Sequence, residues 1–356
     1  MRTLLRPTAF VDSPFGHDGK VARLAGGLNW FSAVELIRVE GRTRTSAELV
    51  PVEGVEARFD EDMQAQWDGL TGARPAFQLG ERTIRLDQPQ VMGIINATPD
   101  SFSDGGQFAD SGAAAEAGAS MAADGAAIID VGGESTRPGA KAVWEGDEIG
   151  RVAPVIRQLA ASGTAVSVDT RKADVMTAAL EAGARMINDV SALSYDDRGA
   201  GLIAAAGVPV VLMHHQGAPE TMQDDPRYDD VLVEIFLWLE ERIAAAEDAG
   251  IKRDKILIDP GFGFGKNVAH NLELMNGLAI LHGLGCPIVL GASRKRTIGA
   301  LSGEAPADQR LPGSLAFALK AVEQGAQIIR VHDVPETVQA LRVWRGLRDQ
   351  ALTPRV

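Results

Sequence analysis

Eight short runs rich in Val and Ile, alternating with Ala-rich stretches of helical period, predict an α/β fold: a closed (β/α)8 barrel of the TIM type, preceded by a small β-rich extension. Two observations favour closure. Each run is predominantly apolar, as strands covered on both faces of a parallel sheet should be. The units also follow one another without a change of kind over roughly 265 residues, the usual size of one barrel; an open doubly wound sheet is the main alternative.

The runs are Val91–Ile95, Ile128–Val131, Val166–Val168, Arg185–Ile187, Val208–Met213, Ile256–Ile258, Ile288–Leu290 and Ile328–Val331. Between them Ser111–Asp124, Lys172–Ala182, Asp229–Ala249 and Pro312–Glu323 consist of good helix formers. Gly125-Ala126, Gly183-Ala184 and Gly325-Ala326 place a glycine where a helix must be capped before the next strand. The barrel is assigned to residues 75–356, with a hairpin over Pro75–Asp87 turning at Gly80-Glu81. Residues 1–74 follow other rules. Leu36–Val39, Glu48–Val52 and Val55–Phe59 read as short strands with no helical repeat, and the plainest role for this segment is packing without chemistry.

Composition narrows the function. With 45% hydrophobic and 23% charged residues the chain is ordinary globular protein, and 356 residues suffice for one barrel and a modest addition. A net charge of -13 argues against nucleic-acid or anionic-membrane partners. Cys286 is the one cysteine, which excludes an intrachain disulfide and suits a reducing compartment. MRTLLRPTAF lacks the apolar core of a signal peptide, and no run approaches the ~20 residues of a membrane helix. A soluble cytoplasmic protein is expected.

Barrel enzymes keep their chemistry at the C-terminal ends of the strands. Here those ends carry Asn96; Asp130; Asp169 and Thr170; Asn188 and Asp189; His214 and His215; Asp259; Ser293, Arg294 and Lys295; and Arg330, His332 and Asp333. Any one of these reads equally well as a helix cap. Their convergence on one face does not. Asn96, Ser135, Thr136, Arg330 and His332 come from strands one, two and eight, neighbours in a closed barrel, and suit phosphate oxygens. Asp169, Asn188 and Asp259, with Lys295 opposite, suit a flat heterocycle with several donors and acceptors, and Phe264 can cover its face. Three histidines raise the possibility of zinc, but no ligand spacing supports it. GFGFG lacks the spacing of a nucleotide loop.

The motifs NATPDSFSDGG (96–106), GGESTRPG (132–139), SVDTRK (167–172), INDVS (187–191), DPGFGFGK (259–266), SRK (293–295) and RVHDV (330–334) resemble the dihydropteroate synthase family, in the family's order. The resemblance implies condensation of (7,8-dihydropterin-6-yl)methyl diphosphate with 4-aminobenzoate, with release of diphosphate. It implies Mg²⁺ on Asn96, the diphosphate on Thr136, Arg330 and His332, and the pterin on Asp169, Asn188, Asp259 and Lys295 beside Phe264. It places Phe102, Thr136, Arg137 and Pro138 at the aminobenzoate, and suggests a homodimer. Asp169, Lys295, Arg330 and His332 are the catalytic expectations. The chain departs from the family pattern at His215 and Arg296. The rival readings are a pterin-dependent methyltransferase, which has no diphosphate to bind, and a silent pterin-binding paralogue.

Overall fold

The computed structural model describes residues 2–97, 107–135, 142–217 and 221–354, with the backbone alone for 107–110. Phe102, Thr136, Arg137 and Pro138 lie outside the described residues.

The chain opens with an antiparallel sheet of β1 (Arg2–Val11), β2 (Ala22–Arg23), β3 (Trp30–Glu40) and β4 (Thr43–Pro51), in which β3 pairs with each of the others. The expected strand at Val55–Phe59 is instead a 3-10 turn over Val55–Arg58, because Gly54 at φ 76 ends the extended chain. A helix follows that the sequence reading did not identify, α1 (Glu61–Thr71). Asp60 caps it by accepting from the Met63 N–H, and Met63, Gln66, Trp67 and Leu70 form its buried face at helical spacing. The hairpin is present as β5 (Phe77–Leu79) and β6 (Arg82–Ile84), turning at Gly80 with φ 64.

The barrel begins with β7 (Gln90–Asn96), α2 (Gln107–Asp124), β8 (Ile128–Gly132), α3 (Glu145–Ala161), β9 (Val166–Asp169) and α4 (Ala173–Ala182). It continues through β10 (Met186–Asp189), α5 (Gly199–Ala206), β11 (Val210–Met213), α6 (Val231–Asp248), β12 (Ile256–Asp259) and α7 (Val268–Gly277). It ends with β13 (Val289–Leu290), α8 (Arg296–Leu301), α9 (Leu311–Glu323), β14 (Ile328–Val331) and α10 (Val334–Ala351). The eight strands pair in parallel in the order β12-β11-β10-β9-β8-β7-β14-β13, and an Ile258–Ile288 bridge joins the two ends. This is the closed barrel expected. One interior layer, Met92, Ile128, Met186, Val211, Leu257, Val289 and Ile328, packs on Phe77, Leu79 and Ile84, so the hairpin plugs the barrel floor.

The amino-terminal sheet shares apolar surface with the barrel. Leu4, Ile37 and Val39 join the large barrel core, while Ala279, in the 3-10 segment Leu278–Leu284, joins the cluster of Leu5, Phe31, Trp67 and Leu70. Phe31 and Trp67 meet edge to face at 5.8 Å. Edge strand β1 is satisfied by α1: buried Gln66 accepts from Leu5 N at 3.0 Å and donates to Thr3 O at 2.9 Å. Gln66→Leu keeps the volume but orphans both backbone groups. At ~1–3 kcal/mol for each buried unsatisfied group, it is expected to lower the melting temperature by about 3–8 °C, read by calorimetry. An unchanged melting point would show that water takes over both bonds.

Candidate active site

The strand ends converge as expected, and their centre is a buried ion cluster. Arg330, on β14, donates from Nε to Asp130 Oδ2 at 2.6 Å and from one terminal nitrogen to Asp169 Oδ2 at 2.8 Å. Asn188 Nδ2 donates to the same Asp130 oxygen at 2.9 Å. Register explains the meeting: β8, β9 and β10 are successive neighbours, and β14 reaches them across β7. Asp130 is fully buried and Asp169 nearly so, and their other oxygens, Asp130 Oδ1 and Asp169 Oδ1, are buried acceptors with no donor among the described residues.

Burial pushes the Asp169 carboxyl up to about 7, with the negative charge of Asp130 adding to the shift and Arg330 opposing it. Burial alone would lower the Arg330 pKa, but the two carboxylates outweigh it and hold the guanidinium charged. Asp130 was visible in the sequence as one strand end among eight. Its central position is a structural finding, because its partners lie far along the chain.

Asp259 faces this cluster from β12, its carboxyl raised by burial and restrained by the Gly261 N–H, which donates to Oδ1 at 2.7 Å. The glycines after it are required by geometry. Gly261, Gly263 and Gly265 all have positive φ; a Cβ at Gly261 would overlap the His214 carbonyl oxygen, and one at Gly265 would lie 2.6 Å from the Gln216 carbonyl oxygen. This packing seats Phe264 in the cleft, with Lys295 Nζ 4.0 Å from the centre of its ring.

Lys266 underpins the same loop. Buried, with its pKa lowered to about 7 by burial, it donates to Gly261 O at 3.0 Å and Phe264 O at 3.1 Å and meets His214 Nδ1 at 2.9 Å. The sequence reading did not single it out.

On the seventh strand's loop, Arg294 adopts a left-handed φ of 56 and is tied to Asp333, which brings Ser293 Oγ to 3.1 Å from His332 Nδ1. Burial, with the Arg330 charge second, pushes His332 down to about 4, so it is neutral at pH 7. Asn96 stands at the end of β7 opposite Gly132. Lys172 Nζ donates at 2.6 Å to each of Glu134, Glu148 and the Val143 carbonyl, joining both flanks of the segment after β8.

Other strand-end residues are structural. Both Asp189 oxygens are occupied by the turn at Ser191 and Leu193, and His214 packs edge-on to Trp238 at 4.9 Å. His215, a departure from the family pattern, lines an open cleft together with Asp169, Arg171, Ser191, Met213, Met222 and Phe264. Among the described residues no group of His, Cys, Asp and Glu side chains could cage a metal, and Cys286 is buried away from this face.

A family model described as pterin binding enzyme matches residues 92–332. The dihydropteroate synthase of Escherichia coli (strain K12) is 51% identical over 264 residues, which are 73% of this chain and 92% of that one. A solved Xanthomonas albilineans dihydropteroate synthase with 4-aminobenzoic acid is 49% identical with a TM-score of 0.74, covering 79% of this chain and all of that one. A structure of dihydropteroate synthase from the same organism, in complex with 7,8-dihydropteroate, is 46% identical with a TM-score of 0.70, covering 78% of this chain and 100% of that one. The chain belongs to the pterin-binding enzymes and, within them, to the dihydropteroate synthase family.

The ion cluster makes a prediction independent of any ligand. Asp130→Asn removes a negative charge beside Asp169 and leaves Arg330 to Asp169 alone; both changes favour ionised Asp169. Its titration, followed by carboxyl ¹³C NMR, is expected to move below about 7. An unchanged or higher midpoint would show that the Asp130 charge does not act on Asp169.

Proposed function

We propose that the protein condenses (7,8-dihydropterin-6-yl)methyl diphosphate with 4-aminobenzoate, forming 7,8-dihydropteroate and diphosphate. The observation that carries this reading is the pair of buried acceptors, Asp130 Oδ1 and Asp169 Oδ1, that have no donor among the described residues and stand beside Asn188 in the strand-end mouth. A buried acceptor without a donor costs ~1–3 kcal/mol, and a pterin edge carries the N–H groups that would relieve it. Asp259 supplies a further acceptor, while Phe264 and Lys295 bound the ring face. The 4-aminobenzoic acid and 7,8-dihydropteroate held in the two Xanthomonas albilineans dihydropteroate synthase structures support the same second substrate and product here.

The nucleophile is the amine of 4-aminobenzoate, so the protein needs no nucleophile of its own. The carbon–oxygen bond to diphosphate breaks, a nitrogen–carbon bond forms at the pterin methylene, and the amine gives up one proton. Breaking the first bond leads, because the electron-rich dihydropterin spreads the developing positive charge and Asp169 and Asp259 stand beside it. On the leaving side, Arg330 supplies positive charge and neutral His332, oriented by Ser293, supplies a hydrogen bond.

Magnesium is part of the proposal. A single Asn amide oxygen at the β7 end, with no carboxylate cage among the described residues, fits an ion carried largely on substrate phosphate oxygens. When bound on Asn96 it would neutralise leaving-group charge. Thr136, with Arg330 and His332 for the diphosphate, and Phe102, Arg137 and Pro138 for the aminobenzoate, complete the assignment.

The homodimer and the cytoplasmic location belong to the same proposal and rest on the family resemblance; among the described residues no helix is long and apolar enough to cross a membrane.

The test is diphosphate release from the dihydropterin substrate, with and without 4-aminobenzoate. Release coupled to 7,8-dihydropteroate formation is expected; a chain that binds the pterin without releasing diphosphate would be the silent paralogue. Arg330→Ala is expected to lower kcat/KM by about 30- to 1000-fold, from ~2–4 kcal/mol of lost transition-state stabilisation. Near wild-type turnover would remove Arg330 from the diphosphate side.

A further inference from the structure

The amino-terminal sheet precedes the family match, which begins at residue 92, yet one of its side chains reaches toward the mouth of the barrel. Arg44, at the start of β4, donates from Nε to Asp230 Oδ2 at 2.7 Å. Asp230 is the N-cap of α6: its other oxygen accepts from the N–H groups of Leu232 at 3.1 Å and Val233 at 3.0 Å. The carboxylate is thus shared between the barrel's own helix and the extension. Glu35, on β3, stands 3.7 Å from Arg44 and also pairs with Arg6, which fixes the guanidinium from behind.

Residues 221–230 run into that cap from the cleft. Met222 lines the cleft beside His215 and Phe264. Gln223 donates to Gly263 O, and the Tyr228 hydroxyl donates to Gly265 O at 2.9 Å, so this stretch grips the loop that seats Phe264. At its end, Asp230 is the point where the sheet holds it.

We propose that Arg44 is a positioning residue for the reaction: through Asp230 it anchors residues 221–230, and with them the Met222 and Phe264 wall of the pterin side of the cleft. For the identity of the ligand this rests on the function proposed above. Residues outside the family match thereby contribute to substrate affinity without touching substrate.

Three variants of the full-length protein test it. Arg44→Ala removes the anchor. Asp230→Asn retains a good N-cap but replaces the charged acceptor of the Arg44 bond with an amide donor. Arg44→Lys keeps a charged donor. Arg44→Ala and Asp230→Asn are each expected to raise the KM and Kd for the dihydropterin substrate about five- to tenfold, the scale of one partly exposed charged hydrogen bond. The kcat and the KM for 4-aminobenzoate are expected to stay within about twofold of wild type, since the reacting groups are untouched. The double variant should be no worse than Asp230→Asn alone, and Arg44→Lys should recover most of the affinity.

A ligand-free readout accompanies these: trypsin should cut faster after exposed Arg227 in Arg44→Ala than in wild type. Wild-type dihydropterin affinity in both anchor-breaking variants would overturn the proposal. So would faster cutting without any loss of affinity, which would make Arg44 structural only. A wild-type protein that binds no dihydropterin would sink the functional reading instead, and the tryptic rate would still decide whether Arg44 holds this segment.

Discussion

A single guanidinium organises the mouth of this barrel. Arg330 lies between two carboxylates from strands that are not its neighbours; both carboxylates are withdrawn from water and the guanidinium is mostly so. Removing charges from water is expensive, and the cluster persists because each Arg330 contact is a short charge-assisted bond. One cation cannot fully compensate two anions. Burial raises the Asp169 carboxyl, the second anion adds to the shift, and one oxygen of each carboxylate has no donor among the described residues. The site therefore suits a ligand rich in hydrogen-bond donors, and in the proposed reaction the same guanidinium would face the departing anion.

The rest of the structure holds this cluster in place. Parallel register pairs Asp169 with Asn188 and sets Asp130 two residues before the partner of Asp169, the hairpin closes the opposite end, and Gly261 and Gly265 let the loop after β12 lie against the backbone of the segment after β11. Lys266 locks that loop from below, and Arg44 holds the adjoining segment from outside the barrel. Chemistry at the strand ends thus depends on supports spread over the whole chain, including residues that precede the family match.

Much of this was legible in the sequence, for identifiable reasons. Continuous apolar runs mark strands buried on both faces, and all eight were located because nothing else produces that pattern at that spacing. Asp169, Asn188, Asp259, Phe264, Lys295 and His332 stood out because each follows such a run or lies in the loop after one, and Arg330 because it is a charge inside one. What escaped depends on contacts distant in sequence. Asp130 gains its meaning from Arg330, 200 positions away. Lys266 looked like the end of a glycine-rich motif. β1 was missed because Pro7 and two arginines interrupt its alternation, although an edge strand tolerates a proline. The buried face of α1 was present at helical spacing but was masked by the strands read around it.

The central claim is that Asp130 and Asp169 keep acceptors for the donors of a pterin ring. The most direct measurement is a crystal structure of the protein with a dihydropterin bound. The account predicts ring N–H groups within hydrogen-bond distance of the now unsatisfied oxygens of Asp130 or Asp169, with Asn188 and Asp259 on the same ring edge and Phe264 near its face. A dihydropterin seated elsewhere, with both oxygens still unsatisfied, would contradict it.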